Sequence, residues 1–253
     1  LKKILSALLV AVMLLSPLAI SIGAVILLPD PFEKSFVCAL DEKYDRLYST
    51  EGEKIVVIGG SSVAFGLRSD ILEEYAQMPV VNFGLYAALG TKLMLDLSRD
   101  AIGEGDVVII TPEIDAQTLS LYFNTELTLK AVGTRADMFM RLPMDEKLSL
   151  ISGAWNYAAQ KLEYYRTDSE SGGADGVYSS VNFNELCDLE YPRSENIMFN
   201  YCDPNNMINP SPDIVSDDFI DYLNDYAAYC RRRGASVYFN GVNKLYFSIN
   251  HIR

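Results

Sequence analysis

The sequence predicts an α/β protein with a doubly wound parallel sheet, which is preceded by one transmembrane helix and contains a large insertion. Short runs rich in Val and Ile recur at residues 54–58, 80–83 and 107–110, with helical stretches between them. Strands that are covered on both faces have continuous apolar runs of this kind, and strand–helix alternation is typical of a doubly wound sheet. An apolar N-terminal segment predicts the transmembrane helix, and a break in the alternation after residue 114 predicts the insertion.

The N-terminal segment predicts a membrane anchor. Lys2 and Lys3 precede an uncharged, mostly apolar run at residues 4–28, and a helix of this length can cross a hydrocarbon layer of about 30 Å. The positive flank is expected to stay in the cytoplasm. We therefore predict a single-pass protein of the cell membrane, with residues 1–29 as an uncleaved signal anchor and the remainder outside the cytoplasm. A cleaved signal peptide is the alternative, but the run exceeds the usual length and lacks an Ala-x-Ala site.

The elements after the anchor follow in a regular order. Residues 30–53 are predicted to be a juxtamembrane segment with a helix at 40–47, and residues 54–253 to be the α/β domain. Within this domain, helices at about 69–76 and 91–102 connect the first three strands. Connections of this length between strands are typical of a parallel sheet.

The alternation stops in a large insertion at residues 115–215, which is predicted to be helical in its first half and irregular in its second. Ser216 then caps a helix whose apolar stripe includes Cys230, and a fourth strand follows at 236–239. The aromatic side chains of the insertion either fill the core of a subdomain or stack on sugar rings. These residues are Trp155, Tyr157, Tyr164, Tyr165, Tyr178, Phe183, Tyr191, Phe199 and Tyr201.

Composition and charge limit the possible ligands. The chain is 49% hydrophobic and has a net charge of −13, which suits a globular domain and argues against binding nucleic acid. Four cysteines without Cys-x-x-Cys spacing and a single histidine predict no metal site. Nucleotide-binding glycine motifs are absent, so no cofactor is expected. The sequence is compatible with two states of Cys187 and Cys202: a disulfide between them, or two reduced thiols.

Two turns rich in Gly, Ser and Asn follow the first two strands, at residues 59–66 and 82–84. Loops at the carboxyl ends of parallel strands build the active sites of such sheets. Ser62 is therefore the candidate nucleophile. The alternative is that this turn only lets a helix approach the sheet closely.

These turns resemble two sequence blocks of the SGNH (GDSL-type) hydrolases. Gly60-Ser61-Ser62-x-x-x-Gly66 is similar to the family's Gly-Asp-Ser-x-x-x-Gly, which carries the catalytic serine, with Ser61 at the usual Asp. Asn82-x-Gly84, followed by Gly90, is similar to the second block, which supplies a backbone N–H to the oxyanion hole. In the third block, Glu113 stands where the family has its oxyanion-binding Asn.

The resemblance covers roughly residues 54–115 and 216–240, and it implies a flavodoxin-like sheet of SGNH type. It also implies Ser62 as the nucleophile and Gly84, Gly90, Asn82 and Glu113 at the oxyanion site. The family's base comes from a late Asp-x-x-His, whereas His251 is preceded by Ser-Ile-Asn. We expect the missing block to lie beyond Arg253; a complete domain with a degenerate site is the alternative.

Two functions are compatible with this resemblance. One is an anchored esterase or O-acyltransferase that acts on acylated cell-envelope polysaccharide, as implied by similarity to alginate O-acetyltransferases and to the D-alanylation proteins of teichoic acids. The other is a non-catalytic envelope protein that retains the fold as a binding or assembly module. Ser62 favours the first, whereas Glu113 and the missing Asp-x-x-His favour the second.

Overall fold

Among the residues that the structure describes, four strands form one parallel sheet, as predicted. The computed structural model describes residues 2–167, 176–191 and 214–240. The strands lie in the order β2-β1-β3-β4. Their bounds are β1 Ile55–Gly59, β2 Val80–Gly84, β3 Val107–Thr111 and β4 Ser236–Phe239. The helices of the described residues are α1 Lys2–Leu27, α2 Leu40–Ser49, α3 Ser61–Gly66, α4 Ser69–Ala76, α5 Thr91–Ser98, α6 Thr125–Val132, α7 Ala136–Arg141, α8 Met144–Thr167 and α9 Asp217–Arg232.

Helices lie on both faces of this sheet. Alternate strand residues, such as Val56 and Phe83, enter a large core that α2, α5 and α9 share. The other strand residues, such as Ile55 and Val57, pack in a smaller cluster that includes Leu72 of α4. Coverage of both faces explains why the strand segments are mostly apolar rather than alternating with polar residues.

The carboxyl ends of β1, β2 and β3 meet at one edge of the sheet. Gly59 of β1 is in register with Gly84 of β2 and with Thr111 of β3. Residues that follow these strands therefore share the same edge of the sheet. Ser62 and Glu113 are among them.

Two local features differ from the sequence-based predictions. The turn around Ser62 forms a six-residue helix, α3. This helix can lie close to β1 and β2 because Gly59 and Gly84 have no side chains. A Cβ atom on either glycine would overlap the side chain of Val63. The helix predicted at 91–102 ends at Ser98 and continues as a 3-10 turn, Arg99–Ala101.

The segment between α1 and β1 belongs to the core of the domain. Helix α2 packs against β2, and its side chains Leu40, Tyr44 and Leu47 are buried. Among the described residues, one helix, α1, is long and apolar enough to cross a membrane, with a mean hydropathy of 2.5. A signal sequence satisfies the same criteria.

A buried charge cluster joins α8 to α5 and α9. Lys92 Nζ forms ion pairs with Asp96 at 2.8 Å and with Glu146. Tyr222 of α9 donates a hydrogen bond to Asp96 at 2.5 Å. Burial raises the pKa of Glu146 to about 7, although Lys92 opposes this shift. The cluster holds the first turn of α8 against the body of the domain.

Several sequence-based predictions fall on residues that the structure does not describe. Phe199, Tyr201, Cys202 and His251 lie outside the described ranges. The Cys187–Cys202 pairing therefore stays a prediction. Cys230, by contrast, is fully buried, as its place on the apolar stripe of α9 predicted.

Candidate functional site

Ser62 and Glu113 lie in contact at the carboxyl edge of the sheet. Ser62 is the second residue of α3, and it is exposed. Its backbone N–H donates to Glu113 Oε1 at 2.8 Å, and the Ser61 hydroxyl donates to the same oxygen at 3.4 Å. The ends of β1 and β3 are thus joined through one carboxylate.

Glu113 is placed directly over the Gly60 backbone. It lies two residues beyond the end of β3, and a Cβ atom on Gly60 would overlap its carboxylate. Its second oxygen, Oε2, is buried and has no hydrogen-bond partner within the described part of the chain. The carboxylate therefore has one bound oxygen beside the candidate nucleophile and one that is unpaired.

The residues of the second block donate hydrogen bonds within the protein. The Gly84 N–H donates to Asn82 Oδ1 at 3.2 Å, and the Gly90 N–H donates to the Ala87 carbonyl at 2.9 Å. The Asn82 side chain is fully buried. Gly90 has φ +83°, and a Cβ atom there would overlap the Tyr122 carbonyl, so the turn before α5 requires glycine.

A buried network beneath the edge holds Asn82 in place. Asp188 accepts a hydrogen bond from Asn82 Nδ2 at 2.8 Å and two from Ser69, its N–H at 2.6 Å and its hydroxyl at 2.8 Å. Asn82 in turn accepts from Gly84. Asp188 therefore connects the insertion to both β2 and α4. Sequence analysis did not identify Asp188, because it belongs to no motif and lies in a segment without regular structure.

Lys43 is a second buried group beneath the site. Its ammonium donates to the Asn82 carbonyl at 3.1 Å and to the Cys187 carbonyl at 2.6 Å, and it lies 4.7 Å from the Phe183 ring centroid. Burial lowers the pKa of Lys43 to about 8, while Asp188 works against this shift. Burial also raises the pKa of the Cys187 thiol. A lysine on the apolar face of α2 is the signal that could have revealed this group in the sequence.

Aromatic side chains pack around Phe65, which belongs to the same helix as Ser62. Phe36 and Phe65 stack with ring centroids 5.3 Å apart, and Tyr178 contacts both rings edge-on. Tyr86 also contacts Phe36, with centroids 6.3 Å apart. We call these four residues the aromatic cluster. Phe65 follows Ser62 by three positions on α3, which places the two on the same side of the helix. Tyr86 and Tyr178 are 40% and 55% exposed and give the cluster an accessible surface.

The part of the chain that the structure describes contains no histidine that could act as the base for Ser62. The chain has one histidine, His251, which lies outside that part. Within residues 2–167, 176–191 and 214–240, no group of three or more His, Cys, Asp or Glu side chains is arranged to hold a metal ion.

Comparison with known proteins gives no match. No protein-family model matches the chain, and no curated protein or solved structure is significantly similar to it. The resemblance to SGNH hydrolases therefore rests on the motif residues alone.

Proposed function

We propose that the protein is a membrane-anchored SGNH-like esterase or O-acyltransferase that acts outside the cytoplasm, with Ser62 as its nucleophile. One observation carries this proposal: an exposed serine at the carboxyl edge of a parallel sheet has its own N–H bound to a carboxylate oxygen at 2.8 Å. Acyl transfer requires a donor near the nucleophile that binds a developing oxyanion. The Ser62 N–H is a donor of this kind, and Glu113 Oε1 occupies the position at which it would bind an oxyanion.

The chemistry would proceed in two steps. Ser62 Oγ bonds to the acyl carbon, its proton passes to a base, and the alcohol of the ester leaves with a proton. A second hydroxyl, from water or from a sugar, then takes the acyl group from the serine. Water as the acceptor gives hydrolysis, and a sugar hydroxyl as the acceptor gives acyl transfer. Either step needs Glu113 to move away from the Ser62 N–H or to be protonated, because a carboxylate repels an oxyanion.

The aromatic cluster supports a polysaccharide as the substrate. Tyr86 and Tyr178 present accessible rings in the cluster that contains Phe65 of α3, the helix that carries Ser62. Aromatic faces contribute large contact areas with apolar surfaces, and the C–H faces of sugar rings are such surfaces. The net charge of −13 disfavours polyanions and is compatible with neutral or cationic polymers.

A non-catalytic binding or assembly module is the second candidate, and a different observation favours it. The N–H groups of Ser62, Gly84 and Gly90 all have acceptors within the protein. No donor is left open for an oxyanion at these three positions. A protein that uses the fold only for binding or assembly would not need an open donor for an oxyanion.

Replacement of Ser62 distinguishes these two functions. We expect Ser62→Ala to lower turnover of 4-nitrophenyl acetate by the intact protein, in detergent, at least about a hundredfold, since the nucleophile is lost. Ser61→Ala removes a hydroxyl that donates to Glu113; it is the matched control and should retain most of the activity. Equal turnover by the wild type and Ser62→Ala would exclude Ser62 as the nucleophile. No turnover by any of the three would favour the binding module.

A further inference from the structure

The surface of α8 divides into three sectors along its length. At about 100° per residue, the buried side chains form one sector, and polar side chains such as Ser152 and Asn156 form another. Large apolar side chains form the third sector, within an arc of about 60°. These are Met144, Leu148, Ile151, Trp155 and Leu162, which we call the α8 stripe.

Four of the five side chains in the α8 stripe are exposed although they are apolar, and Ile151 is partly buried. Met144 is 68% exposed, Leu148 59%, Trp155 58% and Leu162 55%. The stripe extends over about 27 Å of helix. Continuous apolar surfaces of this size on a protein mark contact with a partner or with a membrane.

The same helix is fixed to the end of α1. Lys161 is buried, and its ammonium donates to the carbonyls of Val25 at 2.9 Å and of Leu28 at 3.2 Å. The Tyr165 hydroxyl donates to the Pro29 carbonyl at 3.1 Å. The Val25 carbonyl is one of the unpaired acceptors in the last turn of α1, and Leu28 and Pro29 directly follow the helix. α8 therefore has a defined position relative to α1.

The length of α1 places this junction at the membrane surface. Its 26 residues span about 39 Å, whereas the hydrocarbon layer is about 30 Å thick. A helix of this length can cross the hydrocarbon and still have its last turns outside it. Ser21 and Val25 in these turns are buried in the protein, whereas most of the earlier residues of α1 are exposed.

We propose that the α8 stripe inserts into the outer interface of the bilayer, so that the domain lies against the lipid surface rather than at the end of a free tether. The occupant is a lipid bilayer because the stripe belongs to the helix that binds the end of the anchor. Trp and aliphatic side chains are favoured at this depth. With a net charge of −13, binding depends on apolar insertion and not on attraction to anionic lipids. The proposal rests on α1 being an uncleaved anchor, and it is independent of the chemistry at Ser62.

Trp155 is the chain's single tryptophan and reports directly on the stripe. The intact protein is reconstituted into phosphatidylcholine vesicles whose acyl chains carry bromine close to the headgroup, and its emission is compared with that in unbrominated vesicles. We expect the bromolipid to at least halve the emission, and aqueous acrylamide to quench Trp155 less in vesicles than in urea.

Matched variants test the orientation. Leu148→Glu with Leu162→Glu should reduce bromolipid quenching, whereas Ser152→Glu on the polar sector should leave it unchanged. Absence of bromolipid quenching in the wild type overturns the proposal, whatever the variants do. Protection from both quenchers, together with a dimer in sedimentation, would instead identify a second copy of the chain on the stripe and would also overturn it.

Discussion

Glu113→Gln is expected to raise Ser62-dependent ester turnover by about tenfold or more, because it replaces a negative charge beside the developing oxyanion with a donor. Glu113 Oε1 is 2.8 Å from the Ser62 N–H, and Oε2 is buried without a partner among the described residues. A glutamine has nearly the same shape but no charge that repels the oxyanion, and it holds the Ser62 N–H less strongly than a carboxylate does. Its amide group then offers N–H donors where the family has the Asn of its third block.

The measurement is kcat for 4-nitrophenyl acetate with wild type, Glu113→Gln and the double variant Glu113→Gln/Ser62→Ala. Glu104→Gln, on an exposed loop, removes the same charge elsewhere and should have no effect. Loss of activity in Glu113→Gln would contradict this account, since it would make the carboxylate a required group, such as a base for Ser62.

Asp188→Ala is expected to destabilise the domain by about 3 kcal/mol or more, because it leaves buried donors without acceptors. Asp188 is 3% exposed and accepts three hydrogen bonds, two from Ser69 and one from Asn82. It also favours the charged form of buried Lys43. Thermal unfolding followed by circular dichroism should show a clearly lower melting temperature.

Asp70→Ala is the matched control. Asp70 lies next to Ser69 but is exposed, and its carboxylate pairs with exposed Arg68. Exposed ion pairs contribute little to stability, so its melting temperature should stay close to that of the wild type. A similar melting temperature for Asp188→Ala and Asp70→Ala would show that the buried network does not hold the domain together.

The sheet could be predicted from the sequence because its strands are buried on both faces. Continuous Val and Ile runs identified β1, β2 and β3 to within about one residue, and Val237 lies in the predicted fourth strand. Helix α3 was not predicted, because its formation depends on the space that Gly59 and Gly84 leave for Val63. That contact joins residues from different strands, and local patterns do not reveal it.

The candidate site could be predicted only where a motif marks it. Ser62 and Glu113 were found because each directly follows a strand in a recognisable block, and the structure places them in contact. The contact of Asp188 with Asn82 spans 106 positions in the sequence, so no spacing rule points to it. The internal acceptors of the Gly84 and Gly90 N–H groups depend on exact backbone geometry, which the sequence does not specify.

Covalent labelling of the intact protein by a fluorophosphonate tests most directly whether Ser62 is the nucleophile of this site. Such probes phosphonylate a serine hydroxyl that a neighbouring base activates, and fluoride leaves. We predict one adduct on the peptide that contains Ser62, retained in Ser61→Ala and absent in Ser62→Ala. No adduct on the wild-type protein, or an adduct that persists in Ser62→Ala, would contradict the assignment of Ser62 as a catalytic nucleophile.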